Sequence, residues 1–259
     1  KGNETMIRVG MGQMTVLGGE IDKNLNLSAQ FIKNAAQQQC DLIVLPECLD
    51  TGWTHTSATD LAEPIPGSTS EILCQAAIDN KIYVVAGITE RHNNRIYNAA
   101  ILIDSDGQIL LRHRKINILG MAQDLYSIGD HLGVVETPWG ITGLNICADN
   151  FPQTSFYGQA LAGMGAQLIL SPCAWAVDAD HNNQKDPYGQ LWIDAYTRLA
   201  IDHQVAVIGV SNVGWITDGP WKGKKCIGCS LAVDQTGKIT KQAGYGESEE
   251  RLEIINLEI

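Results

Sequence analysis

Three residues of complementary chemistry stand at the ends of three apparent strands: Glu47 in DLIVLPE, Lys115 in QILLRHRK and Cys147 in ITGLNICAD. A thiol attacks an electrophilic carbon once its proton is taken. A carboxyl group beside it can take that proton and later return it, and an ammonium can hold the negative oxygen that the attack creates. Cys147 is followed by Ala148, Asp149, Asn150 and a Phe-Pro pair. If a helix begins near Ser155, the backbone amides of that turn point outward and favour a thiolate or an oxyanion. Such a thiol is expected to be alkylated faster than buried ones. A carboxyl leaving the core behind Pro46 without a partner would have its pKa raised by desolvation, which suits Glu47 to proton transfer near neutral pH. Each residue alone has an ordinary reading, as a small apolar filler, a loop acid or a surface lysine. Three such residues at three strand ends argue for a site.

The elements that must position them alternate between strand and helix. MIRVGMGQM reads as a strand, NLSAQFIKNAAQQQC as an amphipathic helix and DLIVLPE as a buried strand. A helical SEILCQAAIDNK follows, then strands KIYVVAGITE, IYNAAILIDS and QILLRHRKIN, the last two joined at Asp104-Ser105-Asp106-Gly107. The alternation resumes with strand ITGLNICAD, helix SFYGQALAGMG, strand AQLILSP, helix YGQLWIDAYTRLAIDHQ and strand VAVIGVSNVG, and closes with CIGCSLAVD and KITKQAGYG. This order predicts an α/β fold with helices covering sheets. Reactive groups in such folds gather at the carboxyl ends of strands, where Cys147 is expected.

Composition narrows the function. The chain has 259 residues, 44% hydrophobic and 18% charged, with a formal charge of −11. It is long enough for a large core and is read as one domain, 1–259. The acidic balance argues against nucleic acid or an anionic membrane as partner and favours a small neutral or cationic substrate. No apolar stretch reaches the length needed to cross a bilayer. Residues 1–5 precede Met6 and read as a tag or a mature N-terminal extension. Seven cysteines, odd in number and set in apolar surroundings, fit free thiols in a reducing, cytoplasmic compartment.

Other motifs carry less. Cys226 and Cys229 have redox spacing but fall inside an apparent strand, where residues three apart face opposite ways. VGMGQM and AGMGAQ lack the third glycine and the downstream acid of a dinucleotide site. Six histidines are available for a Cys–His pairing, but none stands in a recognisable partner motif.

LPE, HRK and NICADNFP, in this order and spacing, resemble the glutamate, lysine and cysteine motifs of the nitrilase superfamily, the carbon–nitrogen hydrolases. VGMGQM with Lys23-Asn24-Leu25, the hairpin IYNAAILIDSDGQILLRHRK and the closing SLAVDQTGKITKQAG resemble the same family, so the likeness spans nearly the whole chain. It implies a four-layer α-β-β-α sandwich of two mixed sheets flanked by helices. It also implies Glu47 as general base and acid, Lys115 as oxyanion stabiliser with the Ala148 backbone N–H, and Cys147 as nucleophile. No metal or organic cofactor is implied, and members pair through helices beside the site, so a homodimer or larger assembly is expected.

The chain departs from the family in ways that bear on the substrate. The turn after Cys147 is one residue short and lacks an arginine, and a second active-site glutamate would fall near Ala122, where none stands. Gln123 or Asp124 could do its work of orienting water or Lys115, and Asp149 could contact substrate. By position, SPCAWAVDADHNNQKDPYG resembles the substrate-facing loop, with Trp175 as an apolar wall and Asp178, Asp180 and His181 able to receive a polar or cationic end. Nitrile-cleaving members typically carry tryptophan and glutamate directly after the nucleophile. Ala148 and Asp149 there match the amidase and carbamoyl-hydrolase side. The expected substrate is a small linear amide or N-carbamoyl amine; the alternatives are a nitrilase and a non-catalytic binding or assembly member.

Overall fold

The computed structural model describes residues 5–259; the expectation about residues 1–5 lies outside them except for Thr5. The first half of the chain forms β1 (Met6–Gln13), α1 (Ile21–Gln37), β2 (Leu42–Val44), α2 (Ala58–Leu61), α3 (Ser68–Asn80), β3 (Tyr83–His92), β4 (Arg95–Ile103) and β5 (Ile109–Arg114). The second half forms β6 (Val134–Thr137), β7 (Gly140–Leu144), α4 (Phe156–Gly163), β8 (Leu168–Cys173), β9 (Ala176–Val177), α5 (Gln190–His203), β10 (Ala206–Ser211), β11 (Val213–Trp215), β12 (Lys225–Ile227), β13 (Leu231–Val233), β14 (Ile239–Gln242) and β15 (Arg251–Glu258).

Two six-stranded sheets result, ordered β15-β1-β2-β3-β4-β5 and β14-β13-β10-β8-β7-β6. Each is mixed. β1, β2 and β3 run parallel, as do β7, β8 and β10, with antiparallel strands on both flanks. Alternation along β2 shows why the sheets stack. Leu42 and Val44 join the core between the sheets, where β2 and β3 face β8, whereas Ile43 and Leu45 pack with Phe31, Ile32 and Leu73 of α1 and α3. α5 covers the outer face of the second sheet through Trp192, Tyr196, Leu199 and Ala200. The layers are α-β-β-α, as expected. No helix among the described residues is long and apolar enough to cross a membrane.

Two local expectations are corrected. CIGCSLAVD is broken, not continuous: Gly228 (φ 71°) and Cys229 (φ 61°) turn the chain, so that Cys226 lies in β12 of a small third sheet and Cys229 precedes β13. Gln13 sets the break, because a Cβ on residue 228 would lie 2.2 Å from its amide nitrogen. That amide donates to the carbonyls of Gly244 and Glu249 and accepts from Ser230. Likewise β7 ends at Leu144, and Cys147 opens a single 3-10 turn, Cys147–Asn150, beyond it.

Candidate active site

Glu47 lies three residues past β2, Lys115 directly past β5 and Cys147 three residues past β7. All three ends open on the same side. The Glu47 loop is fixed to the other sheet by its own N–H, which donates to Cys173 O at 3.1 Å. It passes so close to β3 that a Cβ on residue 87 would fall 2.6 Å from the Glu47 Cα and 2.7 Å from Pro46 O, which is why glycine stands there.

The Lys115 ammonium donates to Glu47 Oε1 at 2.6 Å, and Asn98 Nδ2 donates to the same oxygen at 2.6 Å. Both charged side chains are buried, and Glu47 Oε2 has no hydrogen-bond partner among the described residues. One carboxylate oxygen is thus pinned and the other is left as an open acceptor. The expectation of a partnerless acid is replaced by a buried ion pair. Burial works against the charge on Lys115, but Glu47 and Asp149 around it outweigh burial and raise its pKa above the ordinary lysine value.

Cys147 sits at φ 43°, a left-handed conformation that costs a non-glycine residue about 1–2 kcal/mol. Its neighbours enforce it. The Cys147 N–H donates to Ser171 Oγ at 3.0 Å, Asn150 Nδ2 donates to the same hydroxyl, and Asn145 and Asn150 pair reciprocally at 2.6 and 2.9 Å. Burial, then Cys173 and Glu47, push the Cys147 thiol well above its ordinary pKa, and Lys115 only partly opposes them. That direction favours the protonated thiol. It runs against a preformed thiolate, with desolvation as its largest cause.

Asp149 faces inward. It is 0% exposed, and its oxygens accept from the backbone N–H groups of Ile146, Ile116 and Asn117 and from His113. It holds the site together and offers no open edge to a ligand.

The pocket above Cys147, about 400 Å³, is lined by Lys115, Ala148, Trp175 and His181 as expected from the sequence, and by Trp53, Phe151, Tyr188, Trp192 and Trp221, which sequence reasoning missed. Gln123 and Asp124 are exposed outside it, and Ala122 is buried against Cys48, Trp53 and Tyr126. Asp178 and Asp180 are exposed and do not line it, and Asp178 pairs with Lys224 at 2.6 Å. Asn98 also went unnoticed, although one polar residue inside the apolar run IYNAAILI is a signal that it serves a buried partner. Burial pushes the thiols of Cys226 and Cys229 up to about 12, so neither has the character of a redox thiolate.

The chain matches the family described as carbon-nitrogen hydrolase over residues 8–258. An (R)-stereoselective amidase of a Pseudomonas species is 30% identical over 250 residues, covering 96% of this chain and 85% of the relative. An omega-amidase of Xenopus laevis is 29% identical over 240 residues, covering 87% and 80%. The crystal structure of a carbon-nitrogen hydrolase from Helicobacter pylori superposes with a TM-score of 0.86 at 21% identity, covering 98% of this chain and 89% of that one, and shares the fold. The chain belongs to the carbon–nitrogen hydrolase family, the nitrilase superfamily, and its relatives place it on the amidase side of that family.

Proposed function

We propose that the protein hydrolyses a small linear amide or N-carbamoyl amine through a thioester on Cys147. Glu47 Oε2 takes the thiol proton as Sγ attacks the carbonyl carbon. The new oxyanion is held by the Lys115 ammonium and by the Ala148 N–H, which lies in the first turn of a 3-10 segment, where amides lack intrahelical acceptors. Glu47 passes the proton to nitrogen as the C–N bond breaks, and ammonia or an amine leaves. Water then attacks the thioester carbon. Glu47 accepts its proton and returns it to sulfur, releasing the acid.

The observation that carries this reading is the pairing of Lys115 and Asn98 on one oxygen of Glu47, which leaves the other without a partner, while the Glu47 charge acts on the buried Cys147 thiol. The raised Cys147 pKa fits the same scheme, since the thiol waits protonated until Glu47 relieves it.

The test is ammonia release from aliphatic amides, N-carbamoyl amines and matched nitriles, with mass spectrometry of the adduct. Cys147→Ala should fold and lose all release and all adduct, whereas Cys229→Ala should keep most of both. Release by the Cys147→Ala protein, or faster turnover of nitriles than of their amides, would overturn the proposal.

We infer also that the protein is a homodimer or larger, paired through α4 and α5. Phe156, Met164, Leu191 and Ile201 on or beside these helices are 45–56% exposed, an apolar surface that a second copy would cover.

A further inference from the structure

The pocket wall is aromatic, and its charges are already committed. Trp175 and Trp192 stack at 4.8 Å, Phe151 lies 5.3 Å from Trp192, and Trp53 meets Trp221 edge-on at 4.7 Å. Among the lining residues the one lysine, Lys115, is paired with Glu47, and there is no arginine. His181 is shared between the Tyr245 hydroxyl at 2.6 Å and Asp186 at 3.6 Å. The lining therefore holds no free cation to receive an anionic end.

A cationic end fares no better. Asp178, the acid the sequence offered for it, is neutralised by Lys224, and the Lys224 ammonium sits 4.9 Å from the centre of the Trp221 ring. That ring already carries a cation. Asp186 lines the mouth, but its side chain is 88% exposed, so water screens it.

We propose that the acyl side of the substrate ends in an uncharged apolar group, aromatic or aliphatic, seated against the Trp175–Trp192 stack and the Trp53–Trp221 pair. This rests on the amide-hydrolase reading of the same site. An ionised end entering this wall would shed its hydration with nothing to replace it, whereas a ring gains buried area and offset or edge contacts with the tryptophans. The cationic or polar far end expected from the sequence is thereby replaced. Its two acids lie outside the pocket lining, one of them spent on Lys224.

The test uses four primary amides: 3-phenylpropanamide, hexanamide, succinamate and 4-aminobutanamide. Their binding to the Cys147→Ala protein is followed by tryptophan fluorescence and their turnover by the wild type through ammonia release. The two neutral amides should bind at least about tenfold more tightly than either charged one, the scale set by burying several methylene groups or a ring. Trp221 lies in the loop between β11 and β12, away from the sheet cores. Trp221→Ala should reduce the preference for the phenyl over the hexyl amide. Succinamate or 4-aminobutanamide binding as tightly as hexanamide would overturn the proposal, and so would no binding by any of the four. Selective binding of the neutral amides without turnover by the wild type would instead leave the pocket assignment standing and remove the hydrolase reading.

Discussion

His113 Nε2 lies 2.8 Å from Asp149 Oδ2, with both side chains buried, and this contact ties the end of β5 to the turn that carries Cys147. The other Asp149 oxygen accepts from the N–H groups of Ile116 and Asn117, directly after Lys115. One carboxylate thus fixes the spacing between ammonium and sulfur. Burial opposes its charge, but His113, the Asn117 N–H and Lys115 outweigh burial and hold its pKa below the ordinary aspartate value. Its contribution to stability is therefore present at neutral pH and lost as pH falls through that lowered pKa. Asp149→Asn puts an NH₂ where an acceptor is needed. It should cost about 3 kcal/mol in denaturant unfolding at pH 7 and lower kcat by at least about tenfold. A variant as stable and as active as the wild type would show that the network holds nothing.

Asn98 acts on the reaction through Glu47. Its Nδ2 and the Lys115 ammonium share Oε1, so the carboxylate plane is fixed with Oε2 free. Asn98→Ala would release one of these anchors and let the acid rotate. The expected loss is in kcat, about 10- to 100-fold, the range for losing a hydrogen bond to a charged group, with KM little changed. A rise in KM at constant kcat would assign Asn98 to substrate binding instead.

Much of this site could be read from the sequence because its anchor residues interrupt strong periodic signals. DLIVLPE and QILLRHRK each end a strand with a charged residue that an apolar core does not tolerate, and NICAD brings a thiol and an acid together just past a third. The aromatic wall was less legible. Trp53, Trp192 and Trp221 come from a loop, a helix and another loop, and nothing in their local pattern says that they converge. The second strand half of CIGCSLAVD also misled, because the break depends on Gln13, over two hundred residues away in sequence. β15 was missed for a related reason. It pairs with β1 at the edge of its sheet, and Glu253, Asn256 and Glu258 break up its apolar residues.

The exposed residues of α4 and α5 give the assembly a direct test. Ile201→Glu places a charge on a surface that a second copy would bury, at a position 56% exposed in the single chain. Light scattering should report a dimer or larger for the wild type and a smaller species for the variant, with the circular dichroism unchanged. A stable 28.1 kDa wild-type species at micromolar concentration would exclude the assembly.

Asp50 offers a prediction independent of catalysis. It is 0% exposed at the loop that carries Glu47, accepts the Thr89 N–H at 3.0 Å and the Thr89 hydroxyl at 2.6 Å, and has no basic partner among these contacts. Burial raises its pKa from 3.8 to about 6, and the Thr89 bonds only partly oppose the rise. An acid with a higher pKa in the folded state binds its proton more tightly there than in the unfolded chain. Its stabilising contribution is full below the unfolded value of 3.8 and is lost as pH rises through about 6. The loss amounts to something on the order of 3 kcal/mol. Asp50→Asn copies the protonated acid, and Thr89 can turn its hydroxyl to suit the amide. The variant should therefore match or trail the wild type at pH 4 and overtake it by pH 7, the gap between their unfolding free energies moving by that amount. Parallel stability curves for the two proteins between pH 4 and 7 would mean that Asp50 is ionised in the folded state throughout.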